Sequence, residues 1–230
     1  LPHTLGLHGP CVAYGTVCSA ASHAAVCALR QSESTVGLAL GVTLVLGPGV
    51  GTSFAVAGMT SARGRSHTFD ARADGYARGE ACGGLGLQSG VVEGFGLGLV
   101  GSAVRQDGRS ASLTAPNGQA QQGLLSAALA DAHAGPDTSG LHEAHGTGTA
   151  LGDPIETGSL EGAALSKRDA ATVGALAVGG VKANIGHAEP AAGMTGLLKL
   201  GVGLEGGEAA PNAQLRLLNT HVGQVCCRVG

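Results

Sequence analysis

A thiol and two imidazoles stand on three loops of the same kind: Cys18 in GTVCSA, His145 in EAHGTGT and His187 in NIGHAEP. Each follows an apolar, strand-like stretch and precedes small residues at helical spacing. Taken singly, Cys18 reads as a small buried thiol, since most cysteines are inert core residues, and either histidine as a structural one. Taken together they form a candidate Cys–His–His site. A thiolate can hold an acyl group, and imidazole N–H groups can stabilise negative charge on a second thioester carbonyl. Cys18 stands at the predicted start of a helix, where unpaired backbone N–H groups and the helix dipole favour the thiolate. That placement predicts an activated nucleophile. Cys11, Cys27, Cys82, Cys226 and Cys227 keep the structural reading.

The elements that must carry these loops repeat one pattern three times. The stretch from Thr16 runs into a helix over Ser19 to Gln31, where Ala20, Ala21, Ala24, Ala25, Ala28 and Leu29 form a tightly packing surface. GLHEA leads through His145 and a glycine/threonine loop to Asp153-Pro154-Ile155-Glu156. That tetrapeptide reads as a capping box, with Asp153 at N-cap, Pro154 at N1 and Glu156 at N3. VGALAVGGVKANIGH leads to Glu189-Pro190 and a helix over AAGMTGLLKL, with Met194, Leu197 and Leu198 at helical spacing. Between these, VGLALGVTLVLG predicts a buried strand followed by a glycine-rich turn. GGLGLQSGVVEGFGLGLVGSAV predicts another strand, and a helix is expected from about Gly118 to His133. Strands alternating with helices imply a layered α/β domain, whose ligands collect at the carboxyl ends of the strands.

Composition narrows the function classes. Thirteen basic and sixteen acidic side chains give a formal charge of −3, no footprint for nucleic acid. With three Phe, two Tyr and no Trp, the core must be filled by Ala, Val and Leu. The six cysteines follow neither metal spacing nor the density of a secreted scaffold; they imply a reducing compartment, the cytoplasm or a plastid. The start, LPHTLGLHGP, has neither an initiator Met nor a signal peptide and reads as a chain entered part-way. Ser34 to Ala62 is free of charge, but Gly47-Pro48-Gly49 breaks it and no membrane span is expected. Gly96 to Gly101 fits GxGxxG without the following helix or acidic residue, Gly47 to Ser53 lacks a P-loop lysine, and HEAH has the wrong spacing for the zinc helix HExxH.

The chemistry-bearing motifs carry a family resemblance. GTVCSA resembles the active-site cysteine motif of β-ketoacyl synthases, EAHGTGTALGDPIE their first histidine motif and VGGVKANIGHAEPAAG their second. FDARADGYARGEACG and GSAVRQDGRSASLTAPNGQAQQ resemble the ketosynthase domains of polyketide synthases in particular. The resemblance implies a thiolase-like layered α/β/α/β/α fold, present in part, and a decarboxylating Claisen condensation as in polyketide or fatty acid chain extension. It implies that Cys18 takes an acyl group from an acyl carrier protein or coenzyme A thioester. His145 and His187 would then bind the malonyl-type thioester carbonyl, promote decarboxylation and stabilise the enolate. Lys182 matches the family's lysine, Glu156 the acidic residue that pairs with it, and Asp153 supports them. Thr147 and Thr149 match threonines lining the carrier-arm site. Plain readings stand beside these: Glu156 and Asp153 as helix caps, Lys182 as a solvated charge, the threonines as turn residues. Asp74, Arg78 and Glu80 match a polar cluster at the family's active-site floor and are read as structural.

The resemblance further implies no metal and no cofactor bound by the chain, with the phosphopantetheine arm of an acyl carrier protein as substrate carrier. It implies a homodimer formed through a strand near the nucleophile, which would put Val36 to Leu46 near an interface or inside the sheet. Gly15, Val17, Ala20 and the tail from Cys226 depart from the family pattern. Residues 1–230 are expected to be a single partial domain: a first half, 1–90, lacking its opening elements, and a second, 91–225, lacking its C-terminal strands. Those strands would carry an oxyanion-hole donor. The alternative is a truncated ketosynthase-like piece that serves packing or dimerisation without catalysis. A Claisen enzyme of the thiolase or chalcone synthase kind is disfavoured, because those use Cys or Asn where His187 stands.

Overall fold

The computed structural model describes residues 2–90, 97–112 and 114–226. In chain order the elements are α1 (Pro2–Leu5), α2 (Ala20–Arg30), β1 (Val36–Thr43), α3 (Pro48–Val56), β2 (Ala81–Gln88), α4 (Gly118–Asp131), β3 (Leu141–Glu143), α5 (Gly152–Ala163), α6 (Ala170–Val173), β4 (Ala177–Gly179), α7 (Lys182–Ile185), α8 (Ala192–Gly206) and α9 (Thr220–Cys226). β1 and β2 form an antiparallel pair and β3 and β4 a parallel one. Helices α2 and α8 pack together on β1 and β2, while α8 also reaches β3 and α5 packs on α4.

Small residues set how closely these layers approach. The face of α2 buries Ala20, Ala21 and Ala25. A Cβ placed at Gly37 would meet the Ala28 Cβ at 2.8 Å, and one at Gly41 the Ala21 Cβ at 3.0 Å. Helix and strand thus touch backbone to backbone, and Met194, fully buried, fills the space beneath with Leu85, Leu87 and Leu197 around it. A second cluster, Phe69, Ala144 and Val222, lies behind the His145 loop. A third joins Leu160, Ala164 and Leu165 to Leu125 and Leu176.

Four expectations change. The strand from Val36 ends at Thr43, and it is one-sided rather than buried: Ala39, Gly41 and Thr43 face inward, while Val36, Leu38, Leu40 and Val42 are exposed. The expected glycine-rich turn is helix α3, started by Pro48 in its first turn. Of the strand predicted over 83–104 only β2 forms, and 97–104 is irregular; residues 91–96, including the first glycine of the GxGxxG match, lie outside the described residues. The capping box is absent, since α5 begins at Gly152 with Leu151 as N-cap and no side-chain cap bond. Cys226 closes α9, and the tail from Cys227 lies outside the described residues. The uncharged run from Ser34 divides into β1 and α3, and among the described residues no helix is long and apolar enough to cross a membrane.

Gly79 shows how tightly the chain is wound beside the site. A Cβ there would lie 2.4 Å from the Ile185 carbonyl oxygen, and the Gly79 N–H donates to the His187 carbonyl at 3.0 Å. Gly79→Ala is expected to cost about 1–3 kcal/mol, as overpacking does, and to slow alkylation of Cys18. Denaturant midpoints and iodoacetamide kinetics check both.

Candidate active site

Cys18 sits in a 3-10 turn, Val17–Ser19, that leads into α2. Val17 adopts φ 52°, a conformation that a β-branched residue rarely takes and that marks local strain. The strained turn carries the Cys18 sulfur to 2.9 Å from His187 Nε2. His187 follows Gly186, which turns the chain at φ 79° after α7. The backbone N–H of Glu189 donates to His187 Nδ1 at 3.1 Å, so the proton of the neutral ring resides on Nε2 and points at the sulfur. Arg78 holds Glu189 at 3.0 Å, which ties that segment down. The His145 ring stands edge-on to His187, centroids 5.5 Å apart. One ligating atom from each of Cys18, His145 and His187 lies within 4.8 Å of the others, so three residues far apart in the chain meet at one point.

The His145 loop is fixed by carboxylates rather than by its own hydrogen bonds. Glu156 accepts from the backbone N–H groups of His145 at 2.5 Å and Gly146 at 2.8 Å. Asp153 accepts from Phe69 N–H at 2.8 Å and Gly148 N–H at 3.1 Å. The two residues expected to cap α5 therefore cap the loop in front of it. Thr149 accepts from Gly152 N–H at 3.1 Å and lies 3.5 Å from Thr147, a structural placement at the helix start.

A cavity of about 340 Å³ opens beside the trio, lined by Cys18, His145, Lys182, Glu143 and, on its apolar side, Leu197 and Leu200. Thr147 and Thr149 do not line it. Lys182 is 4 % exposed, which overturns its reading as a solvated charge. Among the described residues its ammonium is not in ion-pair contact with Glu156; Glu156, Glu143, Cys18 and Asp153 act on it through space and partly offset the burial that pushes its pKa down. Asp74 and Glu80 stay peripheral, bonded to Ser61 and to Val45 N–H.

Electrostatics corrects the expectation of a thiolate made by the helix start. Burial pushes the Cys18 thiol up, against the Lys182 charge, which pulls it down. Burial and Lys182 hold His187 down to about 3. Desolvation of the His145 ring and Lys182 lower His145 to about 4, although the residue as a whole is exposed to solvent, so both rings are neutral at pH 7. Burial likewise pushes Asp153 and Glu156 up. Neutral imidazoles with a thiol are a donor set a zinc ion accepts, but the Lys182 ammonium opposes a dication here. The acid limb of any activity that needs both rings neutral is expected below about pH 5, not at the ordinary histidine value near 6.5; kcat/KM against pH checks it. For stability, the unfolded histidines bind protons near 6.5 and the folded ones only near 4 and 3. The unfolded state therefore holds more protons in between, and this contribution to stability is lost as pH falls through that window.

The fold is that of a thiolase-like domain, with the trio at its centre. The chain superposes with TM-score 0.86 on the ketosynthase from module 6 of the bacillaene synthase of Bacillus subtilis 168, at 32% identity over 96% of this chain and 40% of that one. It also matches an oxazolomycin ketosynthase domain of Streptomyces albus JA3453 at 31% identity over 96% of this chain and 39% of that one, again with TM-score 0.86. Residues 1–91 match the β-ketoacyl synthase N-terminal domain and residues 98–216 the β-ketoacyl synthase C-terminal domain. The chain belongs to the β-ketoacyl synthase family. In sequence it is similar to two of the phenolphthiocerol/phthiocerol polyketide synthase proteins of Mycobacterium tuberculosis, 41% identical to one over its whole length and 42% identical to the other over 92% of its length. It spans 11% and 14% of those two proteins.

Sequence reasoning missed Glu143 and Lys199, which are joined at 2.6 Å beside the cavity. Their signal was a single acidic residue in GLHEA and a single lysine in the otherwise apolar GLLKL.

Proposed function

We propose that the chain is a polyketide-type ketosynthase domain performing a decarboxylating Claisen condensation, with residues 1–90 and 91–225 as two halves of one domain meeting at the site. The observation that carries this is the convergence of Cys18, His145 and His187 within 4.8 Å. In the first step the Cys18 sulfur attacks an acyl thioester carried on the phosphopantetheine arm of an acyl carrier protein. The carrier sulfur leaves and takes up the thiol proton, and the acyl group stays on Cys18. The His187 Nε2–H, 2.9 Å from the sulfur, stabilises the thiolate as it forms. In the second step the malonyl carbon–carbon bond breaks and CO₂ departs, leaving an enolate whose oxygen accepts from the two neutral imidazoles. The enolate carbon attacks the Cys18 thioester, and the new carbon–carbon bond expels the sulfur as thiolate. Lys182, whose ammonium the surrounding carboxylates support against its burial, favours the anions of both steps, while Glu156 and Asp153 hold the His145 loop.

The carrier-arm role of Thr147 and Thr149 is retained only for the loop they shape, since neither lines the cavity. An acyl carrier protein is the partner, and a homodimer the expected assembly. The bacterial relatives favour the cytoplasm over a plastid. A second reading, a non-catalytic packing or dimerisation piece, draws on the exposed apolar side of β1. One experiment separates the two: incubation with an acyl thioester, peptide mapping, then addition of malonyl-carrier protein. Acyl-Cys18 followed by a 3-ketoacyl thioester supports the enzyme; no adduct, or uniform modification of all six cysteines, removes it.

A further inference from the structure

Glu143 lies at the end of β3, two residues before His145, with its side chain 5% exposed. Its Oε1 accepts from Val181 N–H at 2.5 Å and its Oε2 from Lys199 Nζ at 2.6 Å. Val181 immediately precedes Lys182 and the turn that ends at His187. Lys199 stands on α8, which packs against α2, the helix that follows Cys18. One carboxylate therefore joins the strand that leads to His145, the segment that leads to His187 and the helix packed on α2.

Room for it is built in. Glu143 stands opposite Gly179 in the β3–β4 register, and a Cβ at Gly179 would meet Lys199 Nζ at 2.9 Å. A Cβ at Gly196 would lie 3.4 Å from Glu143 Cγ. The need for a clamp follows from the backbone. β3 and β4 pair over only three residues each, and the last link between them is Ala144 N–H to the Gly179 carbonyl at 2.8 Å. Beyond that point, among the described residues, no backbone hydrogen bond joins the His145 loop to the 180–187 segment. Thr68 and Asn212 also link the two segments, through the Gly146 carbonyl and the Gly180 N–H, and Glu143 adds a direct tie from β3 to the start of the second segment. A misplacement of about 1 Å can cost on the order of 10²-fold in rate.

We propose that Glu143, held by Lys199, is a positioning residue that sets the spacing of His145 and His187 for malonyl decarboxylation; this rests on the condensing function proposed above. The Glu143 carboxylate is nearly buried and Lys199 partly so, and the carboxylate left alone would be a poorly compensated charge. That predicts a sharp dependence on charge as well as shape.

The test uses Glu143→Gln, Lys199→Met and Lys199→Arg in the full chain. In Glu143→Gln, amide hydrogen exchange in peptides covering 144–149 and 180–187 is expected to accelerate by about 10-fold or more, with α4 unchanged. The kcat for malonyl-thioester decarboxylation is expected to fall about 10- to 100-fold with KM within about 3-fold. Lys199→Arg should retain most of the rate and Lys199→Met should not. Unchanged exchange in both segments, or acceleration spread equally over α4, overturns the clamp. So does a normal kcat in both Glu143→Gln and Lys199→Met. If the wild-type protein decarboxylates nothing, the condensing function fails, and the exchange comparison still decides whether Glu143 holds the two segments.

Discussion

Cys18→Ala is expected to remove acyl-enzyme formation altogether and to lower condensation by about 10⁴-fold or more, the scale on which covalent nucleophiles are lost. Decarboxylation of a malonyl thioester should fall by far less. The difference follows from the division of labour at the site. The sulfur is needed to hold the first acyl group, whereas the enolate is stabilised by His145 and His187, which keep their own supports. Glu156 still anchors the His145 loop, and the Glu189 N–H still fixes the His187 tautomer. Intact mass after incubation with acyl thioester, and CO₂ release from the malonyl donor, read the two steps separately. Equal loss of both would mean that the sulfur, not the imidazoles, organises the malonyl site.

His187→Ala is expected to damage both half-reactions, and His145→Ala only the second. Removal of one preorganised donor typically costs about 10²–10³ in rate, so each variant should lose decarboxylation by that factor. His187 also touches the Cys18 sulfur at 2.9 Å, and a thiol whose pKa burial has raised needs that donor to ionise. Acylation of Cys18 should therefore slow by about 10-fold or more in His187→Ala and stay near wild type in His145→Ala. Rapid mixing with an activated acyl thioester measures it. Comparable acylation rates in the two variants would overturn the asymmetry read from the hydrogen bonds.

Much of the site was legible because its chemistry is local in sequence. Cys18, His145 and His187 each occupy a loop bounded by an apolar run and a small-residue helix, and helices α2, α4 and α8 form where periodicity placed them. What failed did so for physical reasons. In VGLALGVT both faces are apolar, so alternation could not say which faced the core; the small residues won, because α2 approaches too closely for Leu or Val. Asp153 and Glu156 have the spacing of a capping box, yet loop N–H groups from 145 to 148 compete for the same oxygens and take them. The activated thiolate expected at a helix start meets a desolvation cost that composition does not reveal. Glu143 and Lys199 are 56 positions apart, and nothing in either local stretch points to the other.

The bare side of the β1–β2 hairpin has a consequence for how the protein behaves in a tube. Val36, Leu38, Leu40 and Val42 stand in a row on a ribbon whose outer edges, among the described residues, pair with no further strand. Unpaired edges beside such a stripe act as templates for further strands, and α2 and α8 cover only the other side of the ribbon. Scattering from the purified chain should therefore rise steeply with concentration, and Leu38→Lys or Leu40→Lys should restore clear solutions while leaving Cys18 reactive.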